Sequence, residues 1–204
     1  MKKILISQRR DRVAGRDETR DALDVRWAKI LFDLGFVPIP VCSELANETN
    51  YLTELKPDGI LLSGGNDLGE AVERDQLEIQ LLDYAKANKL PVLGVCRGMQ
   101  MINHYCGGSL VDVTGHVASY HTLEGDWAKL HGYQQVNSYH NQAITRLTLA
   151  PSLEVLATTT DGVIEAAQHV DLPWLVIMWH PERLHKINMQ DANLILRIFE
   201  GKLQ

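Results

Sequence analysis

Pro91 to Gln100 reads P-V-L-G-V-C-R-G-M-Q. A buried, strand-forming run stops at a cysteine, and a helical pattern starts at once. Glycine stands two residues before the cysteine and two after it. This is the nucleophile elbow G-x-S-x-G with sulfur in place of oxygen. Its turn is so sharp that side chains at Gly94 and Gly98 would collide with the neighbouring strand and helix. The bend lifts Sγ of Cys96 above the carboxyl edge of a sheet, where α/β proteins bind ligands. It also sets the cysteine at a helix N-terminus, which favours the thiolate. The competing reading is a buried structural cysteine.

The order of elements agrees with such a sheet. Lys3–Ser7, Phe36–Val41, Asp58–Ser63 and Pro91–Val95 read as strands. Pro38 and Pro40 push the second toward an edge. Helices are expected around Leu23–Leu34, with Gly35 past its end, and over Asn50–Lys56, Glu73–Ala87 and Arg97–Tyr105. This alternation predicts βαβ units, a parallel sheet and right-handed crossovers with helices on both faces. Val113–Leu130 has no clear period. A short strand is expected at Tyr133–Val136. Glu154–Thr160 and Val163–His169 flank Asp161-Gly162, a hairpin signal. Trp174–Trp179 reads as a last buried strand and Asp191–Phe199 as a terminal helix.

The 204 residues are 45% hydrophobic and 23% charged, and are read as one domain over 1–204. Such a chain buries about 70% of its unfolded surface, so no disulfide or metal is needed to hold it. The net charge is −6, and no basic stripe marks a nucleic-acid binder. Arg9, Arg10 and Arg12, with Asp11 among them, read as a solvated loop rather than a phosphate site. Cys42, Cys96 and Cys106 show no C-x-x-C spacing, so a reducing cytoplasm is expected. Cys106 reads as core and Cys42 as a partly buried strand end. The apolar run Ile4–Ile6 is shorter than the ~7–15 residues of a signal core. No run approaches the ~18 residues of a membrane span.

A thiol nucleophile wants a base, and the base an orienter. His180 ends the apolar run L-V-I-M-W-H and is followed by Pro181 and Glu182, which can reach an imidazole nitrogen. S-G-G-N-D, Ser63–Asp67, can turn backbone N–H groups toward an anion. One of them, with the N–H of Arg97, would make an oxyanion hole; the same residues also suit a plain turn. N-S-Y-H-N-Q-A, Asn137–Ala143, is either a site segment or a surface loop. His116, His121 and His131 raise the question of metal, but no H-E-x-x-H or paired cysteine accompanies them, and none is expected.

Taken together, S-G-G, G-V-C-R-G-M-Q and W-H-P-E resemble a class I glutamine amidotransferase domain over about Asp58–Glu182. C-R-G, S-Y-H-N-Q-A and T-T-D-G-V-I-E-A-A look most like its free-standing branch, peptidase C26. That branch holds γ-glutamyl-γ-aminobutyrate hydrolase and γ-glutamyl-CDP-amidate hydrolase. The resemblance implies a three-layer, flavodoxin-like α/β fold. It makes Cys96 the nucleophile, His180 the base and Glu182 its orienter, with the N–H groups of Gly65 and Arg97 as oxyanion hole. Gly64, Gln100, His140, Asn141 and Gln142 would border the glutamyl group. The implied substrate is a small γ-glutamyl amide, split through a γ-glutamyl thioester without metal or organic cofactor. A homodimer is left open. The chain is short, and its N-terminal region and Gly65–Glu73 loop look trimmed, so the leaving amine is open; if it is a phosphoramidate, Arg9, Arg10 and Arg12 could meet phosphate. The rivals are a glutaminase subunit feeding a separate synthase, a cysteine ester hydrolase using Asp161, and a non-catalytic binding module.

Overall fold

The computed structural model describes residues 1–48 and 50–202. The first half runs β1 (Lys3–Ile6), β2 (Arg9–Arg12), β3 (Thr19–Ala22), α1 (Val25–Asp33), β4 (Val37–Pro40), α2 (Tyr51–Leu55), β5 (Gly59–Leu62), α3 (Val72–Asn88), β6 (Val92–Val95) and α4 (Arg97–Tyr105). The second half continues with β7 (Val111–Asp112), β8 (Val117–Thr122), α5 (Asp126–Leu130), β9 (Gln135–Tyr139), β10 (Gln142–Ala143), β11 (Leu153–Thr158), β12 (Ile164–His169), β13 (Trp174–Ile177) and α6 (Met189–Glu200).

Seven strands form the central sheet, in the order β11-β12-β13-β6-β5-β1-β4. From β13 to β4 every neighbouring pair is parallel, while β12 runs antiparallel to both β11 and β13. All residues of β5, β6 and β13 are buried. Strands covered on both faces read as continuous apolar runs, and G-I-L-L, V-L-G-V and W-L-V-I do so. The covers are opposite helices. A Cβ on Gly59 would meet the ring of Phe199 in α6, whereas Leu62 lies against Gly98 in α4. Those two β5 positions are an odd number apart and face opposite sides of the sheet. β4 is the outer strand, as its prolines predict, and the N–H groups of Val37 and Val41 bond inward to Lys2 and Ile6.

Two stretches depart from the sequence reading. Arg9–Arg12, read as a solvated loop, is instead the strand β2, which forms an antiparallel ribbon with β3. R-R-D-R and T-R-D-A carry no apolar face, so no hydrophobic period announces them. Val113–Leu130 holds β8, which pairs with β9, and the short α5. β8 has one buried residue of six, so alternation is absent there too.

The elbow lies where β6 meets α4. A Cβ on Gly94 would fall 2.8 Å from the Gly98 carbonyl carbon and from Ile102 Cδ1. A Cβ on Gly98 would overlap the carbonyl oxygen of Leu62. The obstacle at Gly98 is sheet backbone, which cannot rotate away. Gly98→Ala should therefore destabilise the fold by about 2–3 kcal/mol or more, at the upper end of overpacking costs. Urea unfolding midpoints check this, and a loss within about 0.5 kcal/mol, the range of innocuous surface changes, would contradict it.

Candidate active site

Cys96 occupies the elbow with φ +53° and ψ −106°, backbone angles that side-chain-bearing residues rarely adopt. Its N–H donates to Ile177 O at 2.8 Å, and its carbonyl accepts from Gln100 N at 3.1 Å. The first bond ties it to β13 and the second to the first turn of α4. The side chain borders a cleft of about 110 Å³ with Gly65, Asn66, Asp67, Arg97, Gln100, His140 and His180.

His180 follows β13 at the same sheet edge. It is 1% exposed, and its Nδ1 bonds Glu182 Oε1 at 2.7 Å. Pro181 and Glu182 belong to a 3-10 turn that folds the carboxylate back onto the imidazole. The backbone is held independently: Asn137 accepts from His180 N–H at 2.8 Å and donates to His180 O at 2.9 Å. The edge of the ring rests on Gly64, where a Cβ would stand 2.9 Å from Cε1. Burial pulls the imidazole pKa down, but the Cys96 sulfur and the Glu182 carboxylate outweigh it and raise it to about 9. With Nδ1 committed to Glu182, Nε2 is the nitrogen left for the sulfur.

The S-G-G-N segment is fixed from behind. The buried guanidinium of Arg74 donates to the carbonyls of Ser63, Gly64 and Gly65. The Ser63 N–H donates to Ser7 Oγ at 3.0 Å, so the N–H groups of this segment that remain for an anion are those beyond Ser63, where Gly65 and Asn66 line the cleft. Arg97 opens α4, so its N–H has no acceptor inside the helix. Its side chain turns away, pairing with Glu78 and Asp75, while Glu78 also pairs with Arg74. Burial pushes Glu78 up, yet Arg74 and Arg97 outweigh it and hold it below the usual carboxylate range.

The cleft gathers Cys96, His180, Gly65, Arg97, Gln100, His140 and Asn141, with Glu182 behind His180 and Gly64 beneath it. Gln142 is not brought in: its side chain bonds Asp112, and its carbonyl accepts from Gln100 Nε2 at 2.9 Å and His140 Nδ1 at 3.1 Å. It braces two cleft residues from outside. Asp161 bonds His116 rather than His180, so the acid of the ester-hydrolase reading is absent from this histidine. His131 stands apart, its ring tilted 59° against Trp127 and its Nε2 3.2 Å from Arg197. Cys42 is exposed rather than partly buried, and Cys106 is half-buried, its thiol pushed up by burial. Arg10 pairs with Glu44 and Glu73, and Arg9 with Asp11, while the Arg9 stem packs over Gly65.

Sequence reasoning missed Asn137, Arg74 and Glu78 as supports. It also missed Tyr139 and Arg183, which line the cleft with the guanidinium 4.2 Å above the ring. Asn137 lay inside a segment already singled out. Arg74 and Glu78, four apart on one helix, look like an ordinary surface pair in sequence. A wider groove of about 850 Å³ beside α5 and α6 is lined by His131 but by none of the residues assigned to the cleft. No described helix is long and apolar enough to cross a membrane.

The profile of the peptidase C26 family matches residues 6–182. The γ-glutamyl-CDP-amidate hydrolase of Campylobacter jejuni is 32% identical, over 84% of this chain and 85% of that protein. The γ-glutamyl-γ-aminobutyrate hydrolase of Escherichia coli O157:H7 is 27% identical, over 94% and 88%. The crystal structure of a GMP synthase component from Thermoplasma acidophilum superposes with a TM-score of 0.74 at 20% identity, over 98% of this chain and 95% of that one. The fold is thus that of the class I glutamine amidotransferases.

The His180 pKa has a consequence for stability. A folded value near 9 against an ordinary ~6.5 stabilises the fold fully below pH ~6.5, and the gain fades as pH rises through 9. Glu182→Gln removes one of the groups that raise it. Thermal midpoints of this variant should vary less between pH 6.5 and 9.5 than those of the wild type. An equally steep decline in both would contradict the assignment.

Proposed function

The chain belongs to the peptidase C26 family, and on that premise we propose that it is a cysteine-dependent hydrolase of a small γ-glutamyl amide. The observation that carries this reading is the meeting of Cys96, on its elbow, with a buried His180 bonded to Glu182. Cys96 passes its proton to His180 Nε2 and attacks the γ-carbonyl carbon. The oxyanion is stabilised by the N–H groups of Gly65 and Arg97. The imidazolium of His180 then protonates the leaving nitrogen, and the C–N bond breaks to leave a γ-glutamyl thioester. Neutral His180 takes a proton from water, whose oxygen attacks the thioester. Glutamate departs and the thiol is restored. Glu182 orients the ring and stabilises its charged form.

Arg183 lines the cleft and Arg9 covers Gly65 at its margin. Both are exposed cations, which supports an anionic leaving group of the nucleotide phosphoramidate type over aminobutyrate or a polyamine. The similarity to γ-glutamyl-CDP-amidate hydrolase supports the same choice. A cytoplasmic setting and a role in capsule synthesis would follow from that substrate. The alternative function is a glutaminase subunit that delivers ammonia to a synthase.

The purified chain alone should release glutamate from a γ-glutamyl amide. Cys96→Ala should abolish release, and His180→Ala should lower kcat by about 10²–10⁴-fold, the scale of general acid–base catalysis. Glu182→Gln should be milder. kcat/KM should be highest for a γ-glutamyl nucleotide phosphoramidate and low for glutamine, because contacts to the larger amine contribute in the transition state. Equal or better use of glutamine would promote the glutaminase reading. Full activity in Cys96→Ala would defeat both.

A further inference from the structure

Beside the cleft, three histidines and a glutamate meet in the interior. His116 precedes β8, His121 lies in it, His140 follows β9, and Glu165 lies in β12. All four are buried, and one donor atom from each lies within 4.8 Å of all the others. The three imidazole pairs have centroids 4.4–5.6 Å apart.

The hydrogen bonds around the cluster fix where its protons sit. His140 Nδ1 is 3.1 Å from the carbonyl of Gln142, which can only accept. The proton is therefore on Nδ1, and a neutral ring turns a lone pair out at Nε2. That nitrogen is buried, has no hydrogen-bond partner and stands 3.6 Å from Glu165 Oε1. His116 repeats the pattern. Its Nε2 donates to the Asp161 carboxylate at 3.0 Å, which leaves a buried, unpartnered lone pair at Nδ1. Glu165 Oε2 is also buried without a partner. Acceptors thus gather where water is excluded, an arrangement that costs free energy unless a positive species sits among them.

We propose that His116, His121, His140 and Glu165 bind one divalent transition ion of the zinc class. Three imidazoles and a carboxylate are a donor set this ion takes in tetrahedral geometry. Bonds of about 2.0–2.2 Å would place the donors roughly 3.4 Å apart, so the set closes by about 1–1.5 Å at its widest. His121 Nδ1 now bonds Glu165 Oε1 at 2.6 Å. On binding, the ion takes the place of that proton, and His121 carries its hydrogen on Nε2, facing Ser119 Oγ at 3.4 Å. Asp161, Gln142 and Ser119 are then the outer groups that set each ring's tautomer and direction. Four protein donors leave no open position, so the ion's role is structural. It joins β12 to the segment that carries Asn137, Tyr139 and His140, one wall of the cleft. Sequence reading missed the set because its donors span 50 residues at irregular spacing, and because it grouped His131 with two of them.

The test uses the intact chain, stripped with a chelator and titrated with zinc against a chromophoric competitor. Cys96→Ser is titrated in parallel, so that the cleft thiol cannot be the ligand. Both should take up one equivalent, with a rise of several degrees in Tm. His116→Ala and His121→Ala should each weaken binding by more than about 100-fold, and Asp161→Asn by about 10–100-fold, the usual effect of losing an outer partner. His131→Ala should bind as the wild type. Cobalt in place of zinc should show the visible bands of a tetrahedral ion in Cys96→Ser and lose them in Glu165→Gln. The proposal is overturned if the stripped wild type binds no zinc at micromolar concentration, or if uptake disappears in Cys96→Ser. A purely protonated cluster gives the first of these outcomes, with Tm insensitive to zinc.

Discussion

Buried Arg74, Arg97 and Glu78, with half-buried Asp75, hold the site in shape from under the carboxyl edge of the sheet. Arg74 and Arg97 meet Glu78 and Asp75, so the cluster balances its own charge. A balanced cluster tolerates burial, whereas removing one member of a buried pair costs about 3–5 kcal/mol. The organisation matters more here than the stability. Arg74 spends its remaining donors on the carbonyls of Ser63, Gly64 and Gly65, and Arg97 anchors the first turn of α4. The two backbone stretches proposed to receive the oxyanion are therefore braced by one network. In the proposed role, that bracing would hold their N–H groups in place before any substrate arrives, which is what electrostatic preorganisation requires.

The histidine is held by a different principle. Asn137 secures its main chain through both its N–H and its carbonyl, Glu182 secures its ring, and Gly64 lets the ring lie close. Main chain and side chain are fixed by separate residues from separate elements. The proposed metal centre lies on the far side of the same β9 segment, so the wall that carries Asn137 would be held from both sides.

Legibility in the sequence followed hydrophobic contrast. β5, β6 and β13 stood out because burial on both faces leaves continuous apolar runs. The elbow stood out because its two glycines answer a steric demand that no other residue meets. His180 and Glu182 were legible because they end such a strand. The β2–β3 ribbon was not, since R-R-D-R and T-R-D-A are held by ion pairs and by bonds from Arg10 to Asn66 rather than by an apolar face. Gln142 was misplaced for a related reason. A polar residue in a polar segment gives no sign of whether its side chain or its carbonyl acts. Arg74 and Glu78 were invisible because burial of a charge pair depends on what packs over it, and that is settled by residues far away in the chain.

The outer strand β4 has one further consequence. The N–H groups of Val37 and of Val41, just past its end, bond inward to Lys2 and Ile6, and the positions between, whose N–H groups would face outward, include Pro38 and Pro40. Proline has no N–H. This margin of the sheet therefore offers carbonyl oxygens but no donors to an incoming strand. A neighbouring chain could form only half of a ladder there, and sheet-to-sheet stacking of copies into a continuous ribbon is blocked at that end by backbone chemistry alone.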